Sequence, residues 1–218
     1  MADTAKTILV VADISGFTQF MRMHALSTSH SRMIIVHLLN SIVQSTKLPL
    51  LVAELEGDAV FLYATSEDGD IERVAEQVKE QIPRMFRAFQ RARDELLKRP
   101  TCECDACGSI ANLRLKQVVH TGDVAFERID RFDKLFGLDV IVVHRMLKNS
   151  VPAKEYLMLT DSAYTTFRGF YDQQPERRVE EFEGVGPIET VVFYEPSLHQ
   201  VLARFNDDGP VMEAAASA

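Results

Sequence analysis

The 218-residue chain has no apolar run approaching the roughly 18 residues that a bilayer-spanning helix requires, and its first candidate, Ile8 to Val11, is soon interrupted by Asp13. No signal-peptide pattern opens it. Its three cysteines, Cys102, Cys104 and Cys107, are odd in number and crowded into one short stretch, which argues against a disulfide framework and for a reduced, cytoplasmic setting. Positive charge is in deficit, with a formal net charge of −8. Neutralising phosphates takes clustered Lys and Arg, so a general affinity for nucleic acid or for an anionic membrane surface is not expected. There is no internal repeat and no low-complexity block beyond a small, polar tail.

What is present suits one globular domain, with 46% apolar and 26% charged residues. Thr7 to Ala12 is β-branched and apolar without alternation, as a buried central strand reads, and Asp13 ends it. A core-facing helix is expected from about Ser29, capped by Ser29 or Ser31, with Met33, Ile34, His37, Leu38, Ser41 and Ile42 on its inner stripe. Leu50 to Leu55 and Ala59 to Ala64 form a hairpin around Glu56-Gly57-Asp58. Ile71 to Lys98 is amphipathic at helical spacing, with Pro83 expected to kink or split it. Leu113 to Val119 reads as a strand, His120-Thr121-Gly122-Asp123 as the turn after it, and Ala125 to Ile129 as a second strand. A short helix over Leu138 to Asn149 and strands at Tyr156 to Thr160 and Val191 to Tyr194 follow. The domain is expected to span residues 1–204, with a cysteine-containing insertion at about 100–112 and a loose tail over 205–218. Alternating strands and helices indicate a layered α/β or α+β sandwich.

The chemistry centres on two carboxylates, because Asp13 ends a buried strand and Asp58 sits on a hairpin tip that can lie beside it in the sheet. Hard divalent cations take oxygen ligands, and paired carboxylates are the usual seat for Mg²⁺ or Mn²⁺. Read alone, an Asp after a strand is more often a turn former than a ligand. The three thiols offer a structural zinc site that needs a fourth ligand, from His120 or from a second chain; reduced loop thiols are the alternative. His37 and His144 read as packing residues on helices.

Four segments together resemble the catalytic domain of the class III adenylyl and guanylyl cyclases. They are VVADISGFTQFM at 10–21, AELEGDAVFLYA at 53–64, VVHTGDV at 118–124 and FGLDVIVVHRMLKNS at 136–150, in that family's order. The resemblance covers roughly residues 7–195. It implies a ferredoxin-like α+β sandwich with a mostly antiparallel central sheet and helices packed on it. It further implies attack of a ribose 3′-hydroxyl on the α-phosphorus of a nucleoside triphosphate, releasing pyrophosphate. In that scheme Asp13 and Asp58, with the Ile14 carbonyl, hold two Mg²⁺ or Mn²⁺ ions, and Arg145 steadies the transferred phosphate. The resemblance also implies a homodimer whose active sites are shared between subunits.

Departures from the family pattern are specific. Ile141 stands where an asparagine orients the ribose, and it offers no hydrogen bond. Glu183 stands where a lysine binds triphosphate, and its charge has the wrong sign. Glu54 matches the base-selecting position of guanylyl cyclases, while Lys134 takes the second such position with Asp133 one residue away, so the base stays open. Two readings follow: a metal-dependent purine nucleotidyl cyclase, or a cyclase-like domain without turnover that binds a nucleotide or protein partner as a regulatory module.

Overall fold

Strand β1 (Thr4–Ser15) runs through the middle of the molecule. It pairs antiparallel with β3 (Ala59–Thr65) on one side and with β4 (Arg114–Ile129) on the other, and Ile8 to Ala12 lose all contact with water. Burial on both faces is why this segment reads as an unbroken apolar run rather than an alternating one. The computed structural model describes residues 4–23, 28–66, 68–98, 104–206 and 209–210.

The main sheet is completed by β2 (Leu51–Glu56), β5 (Phe132–Phe136), β6 (Tyr156–Thr160), β7 (Glu176–Phe182) and β8 (Gly186–Tyr194). Its order is β2-β3-β1-β4-β6-β8-β7, with β5 folded back on the far end of β4. All pairings are antiparallel except β4 with β6. With helices laid on this sheet, the fold is the expected α+β sandwich. One face carries Ile8, Val10, Ala12 and Ile14 of β1 against α2 (Thr28–Ser45) and α3 (Ile71–Lys98), which contribute Ile34, Leu38, Phe86 and Phe89. The opposite face carries Leu9 and Val11 against Val142, Val143 and Met146 at the short helix α5 (Leu138–Arg145) and its C-terminal end. Helix α1 (Phe17–Met23) follows β1 directly, and α4 (Asp105–Ser109) lies in the cysteine insertion. Helices α6 (Asp161–Thr166) and α7 (Glu195–Leu202) complete the set, and β9 (Phe205–Asn206) pairs with β10 (Gly209–Pro210).

Several local expectations are corrected. His120 to Asp123 are not a turn, because β4 continues through them to Ile129 and keeps its pairing with β1, Ile8 opposite Thr121 and Thr7 opposite Gly122. The chain reverses instead at Asp130, which takes the left-handed φ of 56°. Pro83 does not split α3, which is one helix of 28 residues. Its missing backbone bond costs about 3 kcal/mol, and burial of Ile82, Met85, Phe86 and Phe89 around it outweighs that cost. In α2 the inner stripe is Ser31, Ile34, Ile35, Leu38 and Ile42, while Met33 and His37 face outward, a rotation of one residue from the expected stripe. Ser31 is therefore a buried interior residue of that helix and not its cap. At the C-terminus the short β9–β10 pair stands where a loose tail was expected; 207–208 and 211–218 lie outside the described residues.

The core assignment is testable by equilibrium urea unfolding. Phe86→Ala empties a fully buried site and should remove about 3–5 kcal/mol, whereas Val36→Ala, half exposed on the same helical layer, should stay within about 0.5 kcal/mol.

Candidate functional site

The register of the sheet fixes the site. Asp13 lies opposite Ala59 on one side and Lys116 on the other, and Lys116 lies opposite Tyr156. Strand alternation puts Asp13 on the same face as Leu9 and Val11, the face that packs against α5. Asp58 reaches the same place from the β2–β3 turn, where Gly57 adopts a φ of 65° and the Ile14 amide donates to the Asp58 carbonyl at 3.2 Å. The two acidic side chains converge and are close enough to share a hydrogen bond.

Electrostatics follow from that proximity. Burial, and then the negative charge of Asp13, push the Asp58 carboxyl up to about 6 from an ordinary 3.8, against the opposing pull of its own backbone amide and of Lys116. Lys116 Nζ stands 2.8 Å from Asp13 Oδ2, with both side chains largely buried. Beside them the Tyr156 phenol, raised chiefly by burial, accepts a 2.7 Å hydrogen bond from Asn149 Nδ2. Two carboxylates with one lysine between the strands leave a site still short of positive charge. Its donor set is hard oxygen, and the proton that Asp58 retains is what a divalent cation would displace. The residues present therefore fit such an ion.

The remaining expected residues form separate groupings. Arg145, at the last turn of α5, donates to Glu183 Oε2 at 3.2 Å, so an acid on the β7–β8 turn holds the arginine. Ile141 is half exposed on the same helix. Glu54 and Lys134 form an ion pair linking β2 to β5, while Asp133 is exposed opposite Arg128. His144 packs edge-on to Phe61 at 4.6 Å and lies 3.4 Å from Glu56. Behind α5, Glu180 is buried and accepts from the Ser150 amide at 2.9 Å, the Ser150 hydroxyl at 2.8 Å and Arg178 Nε at 2.9 Å. The loop after α5 is thereby fixed to β7.

The expected zinc ligand His120 belongs to another network. Its Nε2 faces Asp139 Oδ1 at 2.8 Å and its Nδ1 faces Thr160 Oγ1 at 2.9 Å, so both ring nitrogens are engaged and burial lowers its basicity. Gly122 makes room for this, since a Cβ there would stand 2.1 Å from Asp139 Cγ. The histidine beside the cysteines is His30, with Nδ1 3.5 Å from Cys104 Sγ. Cys102 lies outside the described residues. Sequence reading passed over Lys116, Tyr156, Asp139 and His30. A lone lysine in an otherwise buried strand was a usable signal for the first, whereas His30 and Cys104 are 74 residues apart and no local pattern joins them.

Because Asp58 binds its proton more tightly folded than unfolded, stability present below about pH 4 is lost as pH rises through about 6. Asp58→Asn should therefore be more stable than wild type by about 1–2 kcal/mol above about pH 7, after allowance for partial solvent screening. The difference should vanish near pH 4 in urea unfolding run as a pH series. His120 has the opposite sign, its depressed basicity destabilising the folded state as pH falls. It is common to both proteins and cancels in their difference, so an unchanged gain at pH 4 would contradict the assignment.

Comparison with known proteins agrees with this architecture. The profile of the family described as "Protein of unknown function (DUF2652)" matches residues 35–156. The uncharacterized protein Rv2561/Rv2562 of Mycobacterium tuberculosis is 35% identical over 153 residues, 70% of this chain and 69% of that protein. Among solved structures, the adenylyl cyclase CyaB from P. aeruginosa superposes with a TM-score of 0.63 at 15% identity, covering 89% of this chain and 97% of that one. The guanylate cyclase domain of RhGC from Catenaria anguillulae, in complex with GTP, gives 0.58 at 18% identity, covering 88% and 97%. Among the described residues no helix is long and apolar enough to cross a membrane. The chain thus has the class III nucleotidyl cyclase fold, and by its sequence it belongs to the DUF2652 family.

Proposed function

We propose that this chain is a metal-dependent nucleotidyl cyclase-like protein that converts a purine nucleoside triphosphate to a 3′,5′-cyclic nucleotide and pyrophosphate. The observation that carries the proposal is the convergence of Asp13 and Asp58 in one partly buried acidic pair. Asp13, Asp58 and the Ile14 carbonyl are the groups that would hold Mg²⁺ or Mn²⁺, two ions by analogy with the cyclase fold. Such ions supply charge neutralisation on the triphosphate and a lowered pKa for the attacking hydroxyl. Lys116 holds the Asp13 carboxylate in place and offsets part of its charge. Arg145 is the group for the developing charge on the transferred phosphate, and it becomes available when Glu183, on an exposed turn, releases it. The Glu54–Lys134 pair, with Asp133 next to it, is where the purine edge would be read.

A homodimer with shared sites belongs to the same proposal. The face around α5 and β5 leaves Phe132, Phe136, Leu138 and Ile141 about half exposed, an apolar surface of the kind a second copy covers. A second reading is favoured by a specific observation: Arg145 is held by an acid, and Ile141 next to it has no group with which to orient a ribose. In that reading the domain binds a nucleotide or a protein partner without turnover and acts as a regulatory module.

Incubation of purified protein with Mn²⁺ and each of the common nucleoside triphosphates separates the two readings. The first expects cyclic product and pyrophosphate in equal amounts. Asp13→Ala and Asp58→Ala should each lower the rate by about 100-fold or more. An equal mixture of Asp58→Ala and Arg145→Ala chains should recover about a quarter of wild-type activity, since half the dimers are mixed and each then holds one intact site. Glu183→Gln, which frees Arg145, should raise the rate. Nucleotide binding without product from any base would favour the second reading, and absence of both would leave only its protein-binding form.

A further inference from the structure

We propose that His30, Cys104 and Cys107 form a zinc-binding site, separate from the acidic pair, that clips the cysteine insertion onto the first turns of α2. The three ligand atoms, His30 Nδ1 or Nε2 and the two Sγ atoms, all lie within 4.8 Å of one another. In a tetrahedral shell with zinc–sulfur and zinc–nitrogen bonds of about 2.3 and 2.0 Å, the sulfur-to-nitrogen edge is about 3.5 Å. Cys104 Sγ to His30 Nδ1 is 3.5 Å. A hydrogen bond between a thiol and an imidazole explains one such distance, but it does not explain why a second thiol converges on the same point.

Local structure prepares the convergence. Cys104 is the residue before α4, and Cys107 falls one helical turn later, so both thiols project from one side of that turn. Ala106, Cys107 and Ile110 are buried in the main core, which anchors the turn, while Cys104 and His30 are half buried. Thiolate and imidazole are the ligands that select zinc over Mg²⁺ or Mn²⁺, so this site and the acidic pair sort their ions by donor type. A closed shell takes four ligands, so these three residues leave one position for a further donor. The physical effect is a crosslink between positions 30 and 104, tying α2 to the segment that leads from α3 into β4. Because β4 carries Lys116 and α1, next along from Asp13, packs against α4, the clip braces the surroundings of the acidic pair without entering it.

The test uses untagged full-length protein purified without any immobilised-metal step. Elemental analysis should find about one zinc per chain. The Co²⁺-substituted protein should show intense visible absorption and a thiolate-to-cobalt charge-transfer band. Cys104→Ser and Cys107→Ser should each weaken that band, and His30→Ala should change the visible spectrum, while His30→Cys should retain metal. His120→Ala and Asp13→Ala should leave zinc content unchanged, which keeps the outcome independent of nucleotide turnover. Folding of each variant is followed by circular dichroism. Folded wild type holding less than about a tenth of an equivalent of zinc, a disulfide among the cysteines of the purified protein, or full Co²⁺ spectra in both His30→Ala and Cys107→Ser would overturn the proposal.

Discussion

Two acidic side chains held close together near the end of a buried strand are the constraint to which the rest of this molecule answers. Asp58 does not ionise as freely as an exposed aspartate where the sheet places it beside Asp13, and the structure meets the resulting deficit of positive charge in two ways. Lys116 comes from the neighbouring strand to lie against Asp13, and Asp58 keeps its proton to a higher pH than an exposed aspartate would. Neither arrangement fully neutralises the pair. The acidic pair is held in place by β1, which is paired on both sides with strands that are themselves largely buried.

The two faces of the sheet divide the work. The face under α2 and α3 is filled with aliphatic and phenylalanine side chains and supplies most of the apolar burial. The other face is covered by α5 and the chain that follows it, and there Asp13, Lys116 and the buried Tyr156 stand in line across three strands. Charge is placed at the margin of the core, where it is partly desolvated yet still reachable. A fully roofed sheet would have no such margin.

Much of this was legible in the sequence because it is written in short-range patterns. The apolar run before Asp13, the hairpin with glycine at its bend and the long amphipathic α3 each specify their own element. The four-motif resemblance gave the order in which those elements assemble. What stayed hidden depends on contacts distant in sequence. His120-Thr121-Gly122-Asp123 has the composition of a turn, yet it is strand, because Gly122 is needed for the close approach of Asp139 rather than for reversal of the chain. Pro83 reads as a break, but the packing of its neighbours overrides the lost hydrogen bond. The pairing of Arg145 with Glu183 and of His30 with Cys104 joins segments that no periodicity connects.

The attachment of α5 to the outer hairpin has a mechanical meaning. Glu180 grips Ser150 just beyond the helix, and Glu183, three residues further along, grips Arg145 near its end. Helix and hairpin are therefore coupled as two arms of one lever, with β7 forming the free border of the sheet. Displacement of that border would change the partner of a guanidinium.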